Sequence, residues 1–190
     1  VGFRRSVFEK FMILAVTGGV PWYIEQIDPA HSAADNIQRL CFSRDGILVD
    51  EYKQIFHNLF GRRSKICRRI VEHLAQGVAE YTDMVSALNY HRSGSLSDYL
   101  EDLVLSGFIK RNFAWSFKSG QDVRLSQYRL SDNYLRFYLK YIALQINRIK
   151  KGQLAHRAIS ALPNWNSMLG FQFENLVLNN HVLIQQALKI

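Results

Sequence analysis

A single stretch of this chain alternates like a β-hairpin, and the pattern around it is helical. Residues 108–117, FIKRNFAWSF, place apolar and polar side chains on alternating sides, as a strand with one covered face requires. KSGQD at 118–122 has the glycine and polar residues of a tight tip, and VRLSQYRLS at 123–131 returns. Just before it, Ser95 caps a helix that runs through Ser106 with Leu96, Leu100, Leu103 and Val104 on its inner face, and Gly107 ends it. Two helices precede that one. Ser64 to Gln76 turns Ile66, Ile70, Val71 and Leu74 inward and closes at Gly77, and Glu80 to Leu88 is shorter. NYHRSG at 89–94 is the turn between the second and third helices.

Three helices followed by one hairpin is the order of a winged helix-turn-helix. The rest of the chain is helical on both sides of it. Phe3 to Ala15 carries Phe3, Val7, Phe11 and Leu14 on one face, Gly18-Gly19 stops it, and Pro21 opens the next helix at its first turn. That helix runs to the Asp28-Pro29 break. Ser32 caps another with Asp35 in its first turn, SRDG at 43–46 is a turn, and Leu48 to Phe60 is helical. After the hairpin, Asp132 to Lys150 reads as one long aromatic-rich helix. A short helix from Ala155 to Leu162 and a last one from Gly170 onward complete the pattern. The expected fold is mainly α: a helical bundle over 1–61, a winged helix-turn-helix with one β-hairpin and a trailing long helix over 62–150, and C-terminal helices over 151–190.

The chemistry a chain can perform is limited by what it lacks. There is no phosphate-binding loop of the Gly-x-x-x-x-Gly-Lys-[Ser/Thr] type, no His-Glu-x-x-His, no Cys-x-x-Cys and no Gly-x-Ser-x-Gly. The six histidines are scattered, and Cys41 and Cys67 match no metal or redox spacing. They read as small buried hydrophobes in a reducing, cytoplasmic compartment. No apolar run approaches the roughly 18 residues of a membrane helix. The sequence therefore assigns no catalytic residue to this chain and no membrane partner. The chain opens on Val1 without Met, as an excised piece of a longer protein would.

Charge points toward polyanions. The net charge is +8, and the segment from Arg124 to Ile190 holds 9 basic and 2 acidic residues. Arg136, Lys140, Arg148, Lys150, Lys151 and Arg157 fall in a stretch without a carboxylate, and a solvated helix face is the alternative reading. In a winged helix the third helix normally brings Arg, Lys, Asn or Gln to base edges. Here that helix carries Asp98, Glu101 and Asp102 and no cation, which would repel phosphate. Contact with DNA would then be non-specific or made by the wing. The candidate residues are Arg92 before the third helix, Lys110, Arg111 and Lys118 on the hairpin, and the Arg62, Arg63, Lys65, Arg68 and Arg69 cluster. Two alternatives stand beside this: a freestanding winged-helix transcription regulator, and a protein-interaction scaffold.

TGGVPWYIEQID at 17–28, EYKQIFHNLFGRRSKICRRIVEHLAQG at 51–77, LSDYLEDLVLSGFIKR at 96–111, YRLSDNYLRFYLKYI at 128–142, INRIKKGQ at 146–153 and GFQFENLV at 170–177 carry a resemblance. In this order they resemble the C-terminal half of prokaryotic AAA+/STAND-type ATPases that end in a domain of unknown function, DUF234, similar to PD-(D/E)XK nucleases. The resemblance implies that residues 1–61 are the lid of an ATPase module, that the winged helix follows, and that 151–190 begin the nuclease-like domain. It implies ATP or ADP with Mg as cofactor of the parent protein, none bound by this portion alone, and the P-loop domain as a partner in the same chain. Nucleotide at the lid would set the orientation of the winged helix. It places Gly18, Gly19 and Pro21 at the turn beside the adenine, where glycine allows close approach and proline fixes a helix start. It also maps Glu174 to a helical metal-binding acid, with the remaining ligands expected further on. The expected function is the regulatory, DNA- or partner-binding portion of a larger ATPase.

Overall fold

The computed structural model describes residues 2–90, 94–116, 118, 120–154 and 158–189. It is mainly helical with one small antiparallel sheet. The chain divides into two compact units, Val1–Tyr52 with Arg136–Ile190, and Lys53–Leu135. Among the described residues, no helix is long and apolar enough to cross a membrane.

The first unit begins with α1, Val7–Thr17. Its start lies four residues later than the apolar pattern suggests. The reason is Ser6, whose hydroxyl accepts the Glu9 amide and caps the helix. Glu9 in turn accepts the Ala33 amide, so its carboxyl is held below the usual carboxylate range by that bond first. Gly18 ends α1 in the left-handed conformation at φ 66°, and α2, Pro21–Glu25, starts with Pro21 in its first turn. Ser32 caps α3, Ala33–Cys41, in a reciprocal box with Asp35. The loop between α2 and α3 is held from inside by Asn36, which is fully buried. Its amide donates to the carbonyls of Asp28 and Ser32, and its oxygen accepts the Asp28 amide. Its pairing offsets the cost of burying the amide and fixes the loop.

The helix α4 spans Ile47–Phe60 and leaves the first unit after Tyr52. The chain returns with the end of α8, Asn133–Phe137. The long helix expected from Asp132 to Lys150 is helical throughout but not uniform. A π turn occupies Tyr138–Ile142, a 3-10 turn Ala143–Gln145, and α9 is Ile146–Lys150. Switching hydrogen-bond register rotates the aromatic face, which no apolar count reveals. Tyr138 stacks on Tyr52 with centroids 4.4 Å apart, and Phe137 meets Phe42 edge-on. Tyr141 donates its hydroxyl to the Pro163 carbonyl and packs with Trp165, the first residue of α10, Trp165–Asn179. The last helix, α11, is His181–Leu188.

One buried bond ties α10 to the end of α1. Stopping a helix leaves carbonyls without amide partners. At the end of α1, the Gly18 amide goes to the Leu14 carbonyl and the Gly19 amide to the Thr17 hydroxyl. The Ala15 carbonyl instead accepts the side-chain amide of Gln172 at 2.8 Å, from a fully buried position on α10.

The second unit has the order expected for its helices and hairpin, with one addition. α5 is Ser64–Leu74, α6 Tyr81–Ala87 and α7 Gly94–Leu105; β2 is Ile109–Ser116 and β3 Gln121–Leu130. Between α5 and α6, the two-residue strand β1, Ala79–Glu80, pairs antiparallel with β3 through Ala79 and Tyr128. The sheet thus has three strands in the order β1-β3-β2 rather than a lone hairpin. So short a strand has no alternation to read. Two end signals also differ from expectation. Ser95 lies inside the first turn of α7 rather than capping it, and α5 closes at Ala75, not through Gly77. Cys67, Ile70, Leu74, Met84, Leu96, Leu100, Leu103, Ile109 and Leu130 form the core. Cys41 in the first unit and Cys67 here are both buried, and burial raises both thiols, Cys67 to about 11.

The base of the hairpin is tied by the Phe108 carbonyl, which accepts the amides of Ser131 and Asp132. Asp132 then caps α8 by accepting the Leu135 amide at 2.7 Å. Burial raises its carboxyl to about 6, against bonds from the Leu135 and Tyr134 amides that lower it.

Gln172→Ala leaves the Ala15 carbonyl buried and unpaired. It should lower unfolding free energy by roughly 1–3 kcal/mol, read from urea titration. Asp132 takes up its proton more readily folded than unfolded, so its contribution falls as pH rises from about 4 to 6 and is constant above. Asp132→Asn keeps the capping oxygen and should remove this decline. At pH 7 it should stabilise by roughly 1–2 kcal/mol, measured by denaturation from pH 4 to 7.

Candidate functional site

In the first unit, the Gly18-Gly19-Val20-Pro21 turn is set by two positive φ values, 66° at Gly18 and 79° at Gly19. A Cβ on Gly19 would meet only the end of Leu14 at 3.8 Å, so backbone conformation and not crowding demands glycine there. Val20 holds the start of α2 with its carbonyl, which accepts the amides of Tyr23 and Ile24. Gly18, Gly19 and Pro21 are exposed, as is Trp22. Beside the turn, Ile13 and Leu14 of α1 face Ile24 and Ile27 across a recess of about 180 Å³, with Phe3 and Lys10 at its edge. The geometry offers backbone and apolar surface to a planar ring. It offers no phosphate cradle, so these residues could hold only the base end of a nucleotide.

In the second unit, the cations of the α4–α5 corner do different jobs. Arg62 and Arg63 lie in the 3-10 turn Gly61–Arg63 before α5, and Lys65, Arg68 and Arg69 lie on α5. Arg63 reaches Asp102 of α7 at 2.5 Å and lies over the Tyr99 ring. Asp102, first by hydrogen bond and then by charge, raises the Arg63 guanidinium above its usual value. Arg69 donates to the Leu88 carbonyl at 2.8 Å, closing the end of α6. These two are taken up by the fold. Arg62 and Lys65 are exposed, and Arg68 leans back along its own helix to the Ser64 carbonyl.

On the sheet, Lys110 and Arg111 point to opposite faces. Lys110 pairs in register with Arg129, is half-buried, and has its ammonium lowered by burial and then by Arg129. Arg111 is exposed. Its Nε donates to Ser126 Oγ, and its guanidinium lies 4.8 Å from the centroid of Phe113, itself exposed, and 5.6 Å from Tyr128. That stack presents a pre-oriented planar cation, which suits phosphate recognition. Lys118 is exposed in the hairpin tip, and Arg92 lies outside the described residues.

α7 keeps its acidic outer face, with Asp98 and Glu101 exposed. Beyond Asp102, Leu105 is 80% exposed and faces Leu59, 61% exposed, across a groove that also includes Phe60, Arg63 and Ser106. Glu174 is exposed on α10. Among the described residues no three of His, Cys, Asp or Glu come together to hold a metal, and a lone carboxylate does not fit one.

The sequence reading passed over two residues of the second unit. Lys53 and His57 of α4 face Arg68 of α5 across a cleft of about 470 Å³. The signal was present: no Asp or Glu occurs between Glu51 and Glu72.

The chain is similar to an uncharacterized protein of Methanocaldococcus jannaschii, MJECL04, with 27% identity over 179 residues that cover 92% of this chain. It spans 38% of that relative's length. No family model matches the chain, and no solved structure matches it.

Proposed function

We propose that this chain is the regulatory, nucleic-acid- or partner-binding portion of a larger AAA+/STAND-type ATPase. The observation that carries the reading is the second unit: α5, β1, α6, α7 and the β2–β3 hairpin in winged-helix order, with Arg111 stacked and exposed on the sheet. The acidic outer face of α7 argues against base reading through that helix, so the binding is to backbone and low in sequence preference. The first unit takes the lid role. Its turn, exposed at Gly18, Gly19 and Pro21, and the apolar recess beside it suit an adenine ring, while the phosphate loop and Mg-binding acid belong to other parts of the parent protein. Bound nucleotide supplies the hydrolysable phosphate there; this chain's residues only hold the base.

A second reading is favoured by one observation. The groove beside the acidic α7 face is open and carries two exposed leucines, Leu59 and Leu105, among Arg63, Asp102 and Ser106, a mixed surface that a protein partner would cover. A freestanding transcription regulator is the least consistent with that helix.

Fluorescence anisotropy with duplex DNA over a range of salt separates these. The proposal expects binding at 50 mM salt that weakens steeply with salt and shows no sequence preference. Absent binding would leave the protein-contact reading, and salt-resistant binding to one sequence would favour the regulator. For the lid, Pro21→Ala in the full-length protein should weaken ATP binding several-fold in a nucleotide titration, and unchanged affinity would remove the adenine-turn assignment.

A further inference from the structure

We propose that the cleft between the second half of α4 and the start of α5 binds the phosphodiester backbone of nucleic acid. The proposal rests on the reading of the second unit as a nucleic-acid-binding module, and it moves the main contact away from the third helix and the wing.

The cleft follows from local geometry. On α4, Lys53 and His57 are one helical turn apart, as are Gln54 and Asn58, so both pairs share a side. The chain then bends at Gly61, φ 48°, and the 3-10 turn starts α5 so that Ser64 and Arg68, again one turn apart, form the opposite wall. Phe56 is the buried floor. Lys53, Gln54, His57 and Asn58 are exposed, so the donors stand at the mouth in water.

Electrostatics select the ligand. From Tyr52 to Val71 the sequence has six Lys or Arg residues, His57, and no carboxylate. Among the described residues, the ion pairs leave Lys53, Arg62, Lys65 and Arg68 without a carboxylate partner; Arg63 alone of the corner is neutralised, by Asp102. The remaining 64 residues of this unit, from Glu72 to Leu135, hold 6 basic and 8 acidic residues. The positive field of the unit is therefore concentrated at this corner.

The donor set distinguishes nucleic acid from an acidic peptide. Lysine, arginine, serine, asparagine and glutamine are the side chains that contact phosphate and sugar oxygens. The one apolar residue lining the cleft, Phe56, is buried, whereas a peptide groove uses accessible apolar anchors for most of its affinity. Arg62 and Lys65 continue the positive strip past the cleft, as a repeating polyanion requires and a single ion does not.

The test uses this chain and a 20-base-pair duplex, with anisotropy read from 50 to 300 mM KCl. Lys53→Ala with Arg68→Gln should weaken binding about tenfold at 50 mM and make the slope of log K against log salt shallower by about two. His57→Glu, which puts a carboxylate in the mouth at an exposed position, should weaken binding without altering the melting curve. Arg44→Ala, on an exposed turn of the first unit, is the control. If wild type binds and both cleft variants match Arg44→Ala, the cleft assignment is overturned and DNA binding stands. If wild type does not bind, both fall. Displacement of DNA by polyglutamate at equal charge concentration would overturn the choice of nucleic acid.

Discussion

The first unit depends on how α1 stops. Gly18 and Gly19 turn the chain out of the helix, and the turn uses its own amides on Leu14 and Thr17. The Ala15 carbonyl is then buried without a backbone donor, a position that water cannot reach. Gln172 answers it across 157 residues. The stop that exposes the Gly-Gly-x-Pro surface is therefore also the point where α10 docks on α1. The candidate nucleotide turn and the docking of α10 on α1 therefore share one backbone decision. Phe11 against Phe173, edge-on at 5.7 Å, adds apolar contact beside the same junction.

Local signals made most of the fold legible. Ser32 with Asp35, Pro21 after two glycines, Gly107 before an alternating run, and the polar tip at 118–122 each act within a few residues, and the sequence displays them directly. Ser6 with Glu9 was a readable cap as well; the apolar Phe3 drew the helix start too early. What could not be read are pairings decided by distance in sequence. β1 exists because β3 offers it a partner, the π turn in Tyr138–Ile142 accompanies aromatic packing against Tyr52 and Phe42, and the Gln172 bond joins the chain's two ends. The site was legible as composition only. Nothing in the run of arginines says that Arg63 belongs to Asp102 and Arg69 to the Leu88 carbonyl while Arg68 faces Lys53.

The same sorting changes what the basic C-terminal stretch means. Read along the chain, the excess charge lies after Arg124. In the folded molecule the last segment shares a unit with the first, which is acidic, and Lys150 pairs with Asp50 at 2.8 Å. Lys140 is half-buried with its ammonium over the Tyr141 ring, and burial, ahead of Arg136, lowers it below the ordinary lysine range. Each unit ends with 12 basic and 8 acidic residues, so neither is the more basic by count.

Equal net charge does not give equal fields. In the first unit the cations are interleaved with Asp28, Asp35, Asp50 and their neighbours, and partners lie close. In the second unit the carboxylates are confined to the residues after Val71, above all on α7, while the α4–α5 corner has none. Gathering each sign onto its own element carries a repulsive cost within that element that mixing would relieve. Arg63 to Asp102 spans the two and is an exposed pair, worth little as a stabilising contact. A fold selected for stability alone has no reason to keep the two signs apart. Such a separation is what the proposed nucleic-acid-binding reading requires, with one side for a polyanion and the third helix kept away from phosphate.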